Sequence, residues 1–149
     1  MKTWSEDAEP SSAPGAERVL VLGGGFGGIY AAALELEELK RRHIDVEVTL
    51  VTRDNYFLFT PMLPEAAAGE LEQSAIINPL CRLLKRVRTF VGAIEAIDLK
   101  AQRIVVSHGS DRHTHKFSYD QLVIALGAGT NFFNLPGSRD FVFYHQDVK

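Results

Sequence analysis

The chain has 149 residues, 46% of them apolar, and a formal net charge of −3; that is enough apolar material for one domain with a core, and no positive excess of the kind that recruits nucleic acid. A single cysteine, Cys81, excludes an internal disulfide and any dithiol chemistry within the chain. No apolar run reaches the roughly 20 residues that a membrane-spanning helix needs.

Residues 1–16 are rich in Ser, Glu, Pro and Ala and lack the apolar stretch of a signal peptide, so they are expected to form a disordered tail on a domain covering 17–149, in the cytoplasm. Residues 18–22 read as a strand buried on both sides, because the apolar run is continuous rather than alternating. Ile29, Ala32, Ala33, Leu36 and Leu39 then recur at helical spacing over 29–42, with Glu35, Glu38, Lys40 and Arg42 opposite. A second strand at 46–51 completes a βαβ unit. Residues 53–64 form a loop dense in aromatics (Tyr56, Phe57, Phe59), followed by a short helix that stops at Gly69. Asn78 is a credible N-cap with Pro79 at the first helical position, and Leu80, Leu83, Leu84 and Val87 follow on one face, with Cys81 as a small core residue. Arg82, Lys85, Arg86 and Arg88 make the other face basic; a solvated face is the simpler account, a membrane surface or anionic ligand the sharper one. Short strands at 89–91, 94–99, 103–107 and 116–119 read as a β-meander, with a polar turn at 108–115. A last buried strand at 122–126 ends in Gly127-Ala128-Gly129, and 132–142 is loop, with a turn at 134–137. The pattern is α/β: a Rossmann-like domain with a parallel sheet, flanking helices and an inserted antiparallel meander.

Chemistry concentrates at Gly23-Gly24-Gly25-Phe26-Gly27-Gly28, between the first strand and its helix. A dinucleotide pyrophosphate requires that order. Gly23 permits the tight turn, Gly25 lets backbone approach the phosphates, Gly28 lets the helix pack on the strand, and free N–H groups at the helix start meet the negative charge. The bland alternative is an ordinary βα turn. Such units usually place an acid at the carboxyl end of the second strand to hold a ribose. Asp45 and Glu47 lie at the wrong end; Thr52 stands at the right one, with Arg53 and Asp54 beyond it. His108, His113 and His115 are spaced on a turn, where a polar hairpin is the default over a metal site. The aromatics at 56–59 serve equally as a ligand wall or as core filling.

Four separated stretches now agree with one family: RVLVLGGGFGGIYAA (18–32), VTLVTRDNYFLFTPMLPEAAAG (48–69), FVGAIEAID (90–98) and YDQLVIALGAGTNFFNLPG (119–137). In these the chain resembles the N-terminal part of the type II NADH dehydrogenases, flavin-dependent NADH:quinone oxidoreductases. The resemblance implies that the glycine turn holds the pyrophosphate of FAD. It also implies that the segment after strand two contacts the adenosine half, with Ala93 and Ile94 facing the adenine. Ala125, Leu126 and Gly127 would contact the flavin, and residues 60–63, Pro61 among them, would lie near its ring system. Two positions depart from the family: Thr52 replaces the usual acid, and Leu126 stands where an Ala-Thr-Gly pattern has Thr.

Family members continue into a second glycine-rich unit for NADH and a membrane-associating region, neither of which follows here. The chain is therefore expected to be a fragment, a truncated product or half of a split enzyme completed by a partner chain. Two functions remain: the FAD-binding portion of an NADH:quinone oxidoreductase, peripheral on the inner face of the membrane, with NADH as co-substrate once the other half is supplied; or a non-catalytic nucleotide-binding module. A sulfide:quinone oxidoreductase shares the scaffold but needs several cysteines. No catalytic residue is assigned.

Overall fold

Val19 to Leu22 are all buried, and alternate side chains serve two different cores. In a computed structural model, which describes residues 16–42, 45–109, 112–128 and 136–137 (backbone alone for 34–41), they lie in β1 (Glu17–Leu22). This strand sits inside a four-stranded parallel sheet of order β5–β2–β1–β9, with β2 at Val46–Thr52, β5 at Arg88–Val91 and β9 at Gln121–Ile124. Val19 and Val21 face α1 (Phe26–Arg41) and pack with Ile29, Ala32, Val48 and Leu50. Leu20 and Leu22 point the other way, onto Val51, Phe90, Ile104, Val106, Phe117 and Tyr119. Side chains alternate across a strand, so a run that is apolar at every position requires a cover on each face.

The second cover is an antiparallel sheet of β6 (Ala93–Asp98), β7 (Arg103–His108) and β8 (His113–Ser118). It contributes Ile104, Val106 and Phe117 to the core beneath the parallel sheet. A register shift between Ile94 and Ala96 leaves Glu95 as an extra residue on β6. Between β2 and β5 the chain forms β3 (Tyr56–Leu58), a 3-10 turn at Thr60–Met62, α2 (Leu63–Ala67), α3 (Gln73–Ile76), β4 (Ile77–Pro79) and α4 (Leu80–Leu83), with β3 and β4 antiparallel.

The expected α/β architecture, with its meander, is what the chain adopts. Several local expectations change: His108 ends β7 and His113 and His115 lie in β8 rather than on a turn over 108–115, and the aromatic loop carries β3. Residues 89–91 belong to the parallel sheet rather than the meander, because Phe90 pairs with Val51. Asn78 is in β4 opposite Phe57 and caps no helix; the helix starts one residue later, after Pro79 at ψ 130°. Cys81 is exposed, as is Leu83, because one turn of helix buries only Leu80 and the following Leu84 and Val87. The tail (apart from Ala16), the charged face of α1 apart from Arg42, and most of the 132–142 loop lie outside the described residues or side chains; Pro136 and Gly137 form a turn.

One polar contact ties the ends of this unit together. Asp120, just before β9, takes Arg18 Nε and Nη2 at 3.1 and 3.0 Å and the Arg18 amide at 2.8 Å. The Arg18 side chain first, then its backbone N–H, hold the carboxyl at about 2 instead of 3.8. Between these values the unfolded chain binds the extra proton, so the stabilisation is complete above about pH 4 and is lost as pH falls towards 2. In urea titrations across that window, Asp120→Asn is expected to flatten the acid limb of the stability curve. Leu50→Ala, in a fully buried position, is expected to lower stability by about 3 kcal/mol at neutral pH.

Candidate functional site

The ladder of the parallel sheet runs one residue past the strands. The Gly23 amide donates to Val51 O, Gly92 to Thr52 O and Ala125 to Leu22 O, each at 2.8 Å. The carboxyl ends of all four strands therefore meet at one edge. From β1 the chain goes to β2 on one side, while β9 returns on the other, so the glycine turn stands where strand order reverses. Open α/β sheets bind ligands in the crevice at such a point.

The sheet thus uses the Gly23 amide. The next five, Gly24 to Gly28, have no backbone acceptor among the described residues, and the helical ladder opens only at Ile29 N to Gly25 O, 3.0 Å. No acid sits in the first turn of α1 to compete for these donors. Gly23 has φ 107°, and a Cβ there would run into the Ala125 carbonyl. A Cβ on Gly28 would overlap the Gly23 carbonyl oxygen, which is why α1 starts so close to β1. Gly25 meets nothing within 4 Å, and Gly27 only Ala125 Cβ at 3.5 Å. Two glycines are thus demanded by the protein's own backbone, whereas Gly25 borders open space. Aligned amides, a helix dipole and that space suit an anionic pyrophosphate.

Thr52 is buried, and its side chain abuts Gly24, whose lack of a Cβ makes the contact possible. Arg53 and Asp54 are exposed beyond it. Arg53, Val91, Gly92, Ala93, Ser107, His108, Gly109 and Arg112 line an open cleft of about 400 Å³ at the end of β2 and β5. Ala93 thus faces the cleft, while Ile94 packs into the core beneath the sheet. Glu47, at the other end of β2, pairs with Arg88, whose guanidinium has its pKa lowered by burial.

The aromatic loop reaches the same edge. Phe26 contacts Phe57 edge-on at 4.8 Å and Phe59 at 5.5 Å, which holds the 3-10 turn containing exposed Pro61 beside the start of α1. Phe57 also packs on the core under α1, so this cluster is core filling at its base and wall at its rim. Ala125 is half-buried against the glycine turn; Leu126 and Gly127 are exposed, the latter at φ 75°. Two participants escaped the sequence reading. Gly24 is required because the Thr52 side chain lies against it, and the cleft residues Ser107, His108, Gly109 and Arg112 reach the edge only through the return of β7. His108 packs tilted and His115 edge-on against Phe90, with ring centroids 5.6 and 5.1 Å away, and no metal-ligating group of three exists among the described residues.

Residues 17–149 match the profile of the pyridine nucleotide-disulphide oxidoreductase family. The type II NADH:quinone oxidoreductase NdhA of Mycobacterium tuberculosis is 39% identical over 95% of this chain and 28% of its own length. The demethylphylloquinone reductase NdbB of Synechocystis is 39% identical over 83% of this chain and 31% of its own. Among solved structures, NDH2 of Plasmodium falciparum in complex with NADH superposes with a TM-score of 0.70 at 26% identity, covering 83% of this chain and 25% of that one. The sulfide:quinone oxidoreductase of Aquifex aeolicus gives 0.66 at 35% identity, over 78% and 26%. The chain spans less than a third of the length of these proteins.

The glycines separate by substitution. Gly28→Ala forces backbone apart and is expected to destabilise by about 2 kcal/mol or more. Gly25→Ala, at the helix N-cap, should remain within about 1 kcal/mol of the parent in urea unfolding.

Proposed function

This chain belongs to the pyridine nucleotide-disulphide oxidoreductase family, and on that footing we propose that it is the FAD-binding portion of a flavin-dependent NADH:quinone oxidoreductase. The row of amides from Gly24 to Gly28, open to an anion at the crevice, carries the proposal. These groups hold the FAD pyrophosphate, with Gly23 and Gly28 fixing the turn that aims them and Gly25, Phe26 and Gly27 facing the ligand. Thr52, Arg53, Asp54, Ala93 and Ile94 border the adenosine half. Pro61, Ala125, Leu126 and Gly127 border the flavin, with the Phe26–Phe57–Phe59 cluster excluding water from that side. When bound, the flavin supplies the redox chemistry, taking hydride from NADH and passing electrons to a quinone, while the protein supplies position and electrostatics.

Turnover belongs to the complete enzyme, peripheral on the inner face of a membrane, in which NADH is bound by sequence or a partner chain outside the span described here. Among the described residues no helix is long and apolar enough to cross a membrane. A nucleotide-binding module without turnover of its own is the second reading.

Fluorescence titration of the purified chain is expected to show FAD binding about tenfold or more tighter than FMN, which lacks the pyrophosphate and forfeits those charge-assisted hydrogen bonds. Gly25→Ala should weaken FAD while keeping the fold. Equal affinity for FAD and FMN, or an unaffected Gly25→Ala variant, would refute the assignment. Bleaching of the bound flavin by NADH would decide for turnover by this chain; a yellow protein that NADH leaves yellow decides for the module.

A further inference from the structure

The glycine turn and the cleft at the end of β2 and β5 meet through one residue. The Thr52 side chain abuts Gly24, and the Thr52 carbonyl takes the amide of Gly92, in the cleft lining, at 2.8 Å. A nucleotide with its phosphates on the turn therefore has this cleft beside it for a base. Several polar groups of the lining are already committed. Ser107 is buried and gives its hydroxyl proton to Glu95 at 2.6 Å. The Val91 carbonyl lies 2.7 Å from His108 Nδ1. A carbonyl only accepts, so Nδ1 carries the proton and the neutral ring presents Nε2 as a bare acceptor. The ring is held as well as oriented: it packs tilted on buried Phe90 at 5.6 Å and edge-on to His115 at 6.3 Å. Nε2 has no hydrogen-bond partner among the described residues. The two guanidiniums of the described lining, Arg53 and Arg112, only donate.

A fixed acceptor among donors sorts purines. Adenine carries an amine at C6, a donor, beside ring nitrogens that accept; a 6-oxopurine carries a carbonyl in the same place. An Nε2 locked as acceptor takes the amine, whereas against a carbonyl two sets of lone pairs face each other. The imidazole cannot escape by changing tautomer, because Nδ1 would then face the Val91 carbonyl without a proton. Guanidiniums alone would do the reverse, since their fork matches O6 and N7 of an oxopurine. We propose that His108 selects the base of the bound cofactor, its Nε2 accepting the exocyclic amine of adenine and disfavouring 6-oxopurines. The proposal rests on the reading that the adenosine half of FAD lies along the end of β2.

Two pairs of ligands that differ at C6 by an amine or a carbonyl test it: ADP against IDP, and FAD against flavin hypoxanthine dinucleotide, each titrated calorimetrically into the 149-residue chain in mildly alkaline buffer. The adenine member of each pair is expected to bind about tenfold or more tighter. His108→Phe keeps a ring against Phe90 and removes both nitrogens, and should bring each ratio within about threefold of unity. His108→Gln, whose amide can turn to donate or to accept, should do the same. Each ratio is taken within one protein, so a partly unfolded variant does not distort it. Equal affinity within either pair that binds, or ratios unchanged in both variants, overturns the selection. A chain that binds none of the four ligands overturns it together with the flavin assignment. The pairs also separate the two conclusions. ADP preferred over IDP without FAD binding sinks the flavin assignment and leaves base selection standing; FAD bound no better than its hypoxanthine analogue sinks base selection alone.

Discussion

The hydrogen bonds that continue the parallel ladder beyond the last residue of each strand set the geometry on which the crevice depends. By bonding the Gly23 amide to Val51 and the Leu22 carbonyl to Ala125, the sheet holds the backbone of the turn on both sides. The chain must then leave β1 at a positive φ and begin α1 at once, with the Gly28 backbone against the Gly23 carbonyl. What remains is a row of amides that the sheet cannot use and the helix does not reach. The proposed anion site would thus be a by-product of satisfying backbone groups elsewhere, needing no charged side chain.

That turn is stiff because the strand before it is clamped between two covers. Val19 and Val21 lie in the core under α1, Leu20 and Leu22 in the core over the meander, and the same alternation recurs on β9, where Leu122 and Val123 divide between the two. A shift of one residue in β1 would exchange both sets and carry the glycines with it. The Arg18–Asp120 contact pins the opposite end of the same strands. The meander has a second consequence. Covering the sheet brings the β7–β8 turn back to the carboxyl edge, and with it His108 and Arg112, which are distant in sequence from the glycine turn.

Much of this was legible from local pattern. The continuous run at 19–22 could only be a strand covered on both faces, and glycine spacing after it specified strand, turn and helix in that order. The position of Thr52 relative to Glu47 followed from which end of a strand each occupies. Other features were illegible because they are relations between distant residues. Phe90 reads as part of the meander until Val51 is its neighbour. Asn78-Pro79 is a sound helix start by propensity, and β3 claimed it as a strand partner instead. Cys81 sits in an apolar pattern, but one turn of helix has too little surface to bury every apolar residue on it.

The amino-acid sequence determined by itself the strand–glycine–helix unit, its place at a sheet edge and the lack of an acid where a ribose would lie, because these follow from residue spacing along one continuous segment. Tertiary structure alone decided which amides stay open, which glycine borders empty space and which cations gather at the cleft. Those depend on the approach of backbone from β2, β7 and β9, and packing in three dimensions, not spacing along the chain, sets that approach.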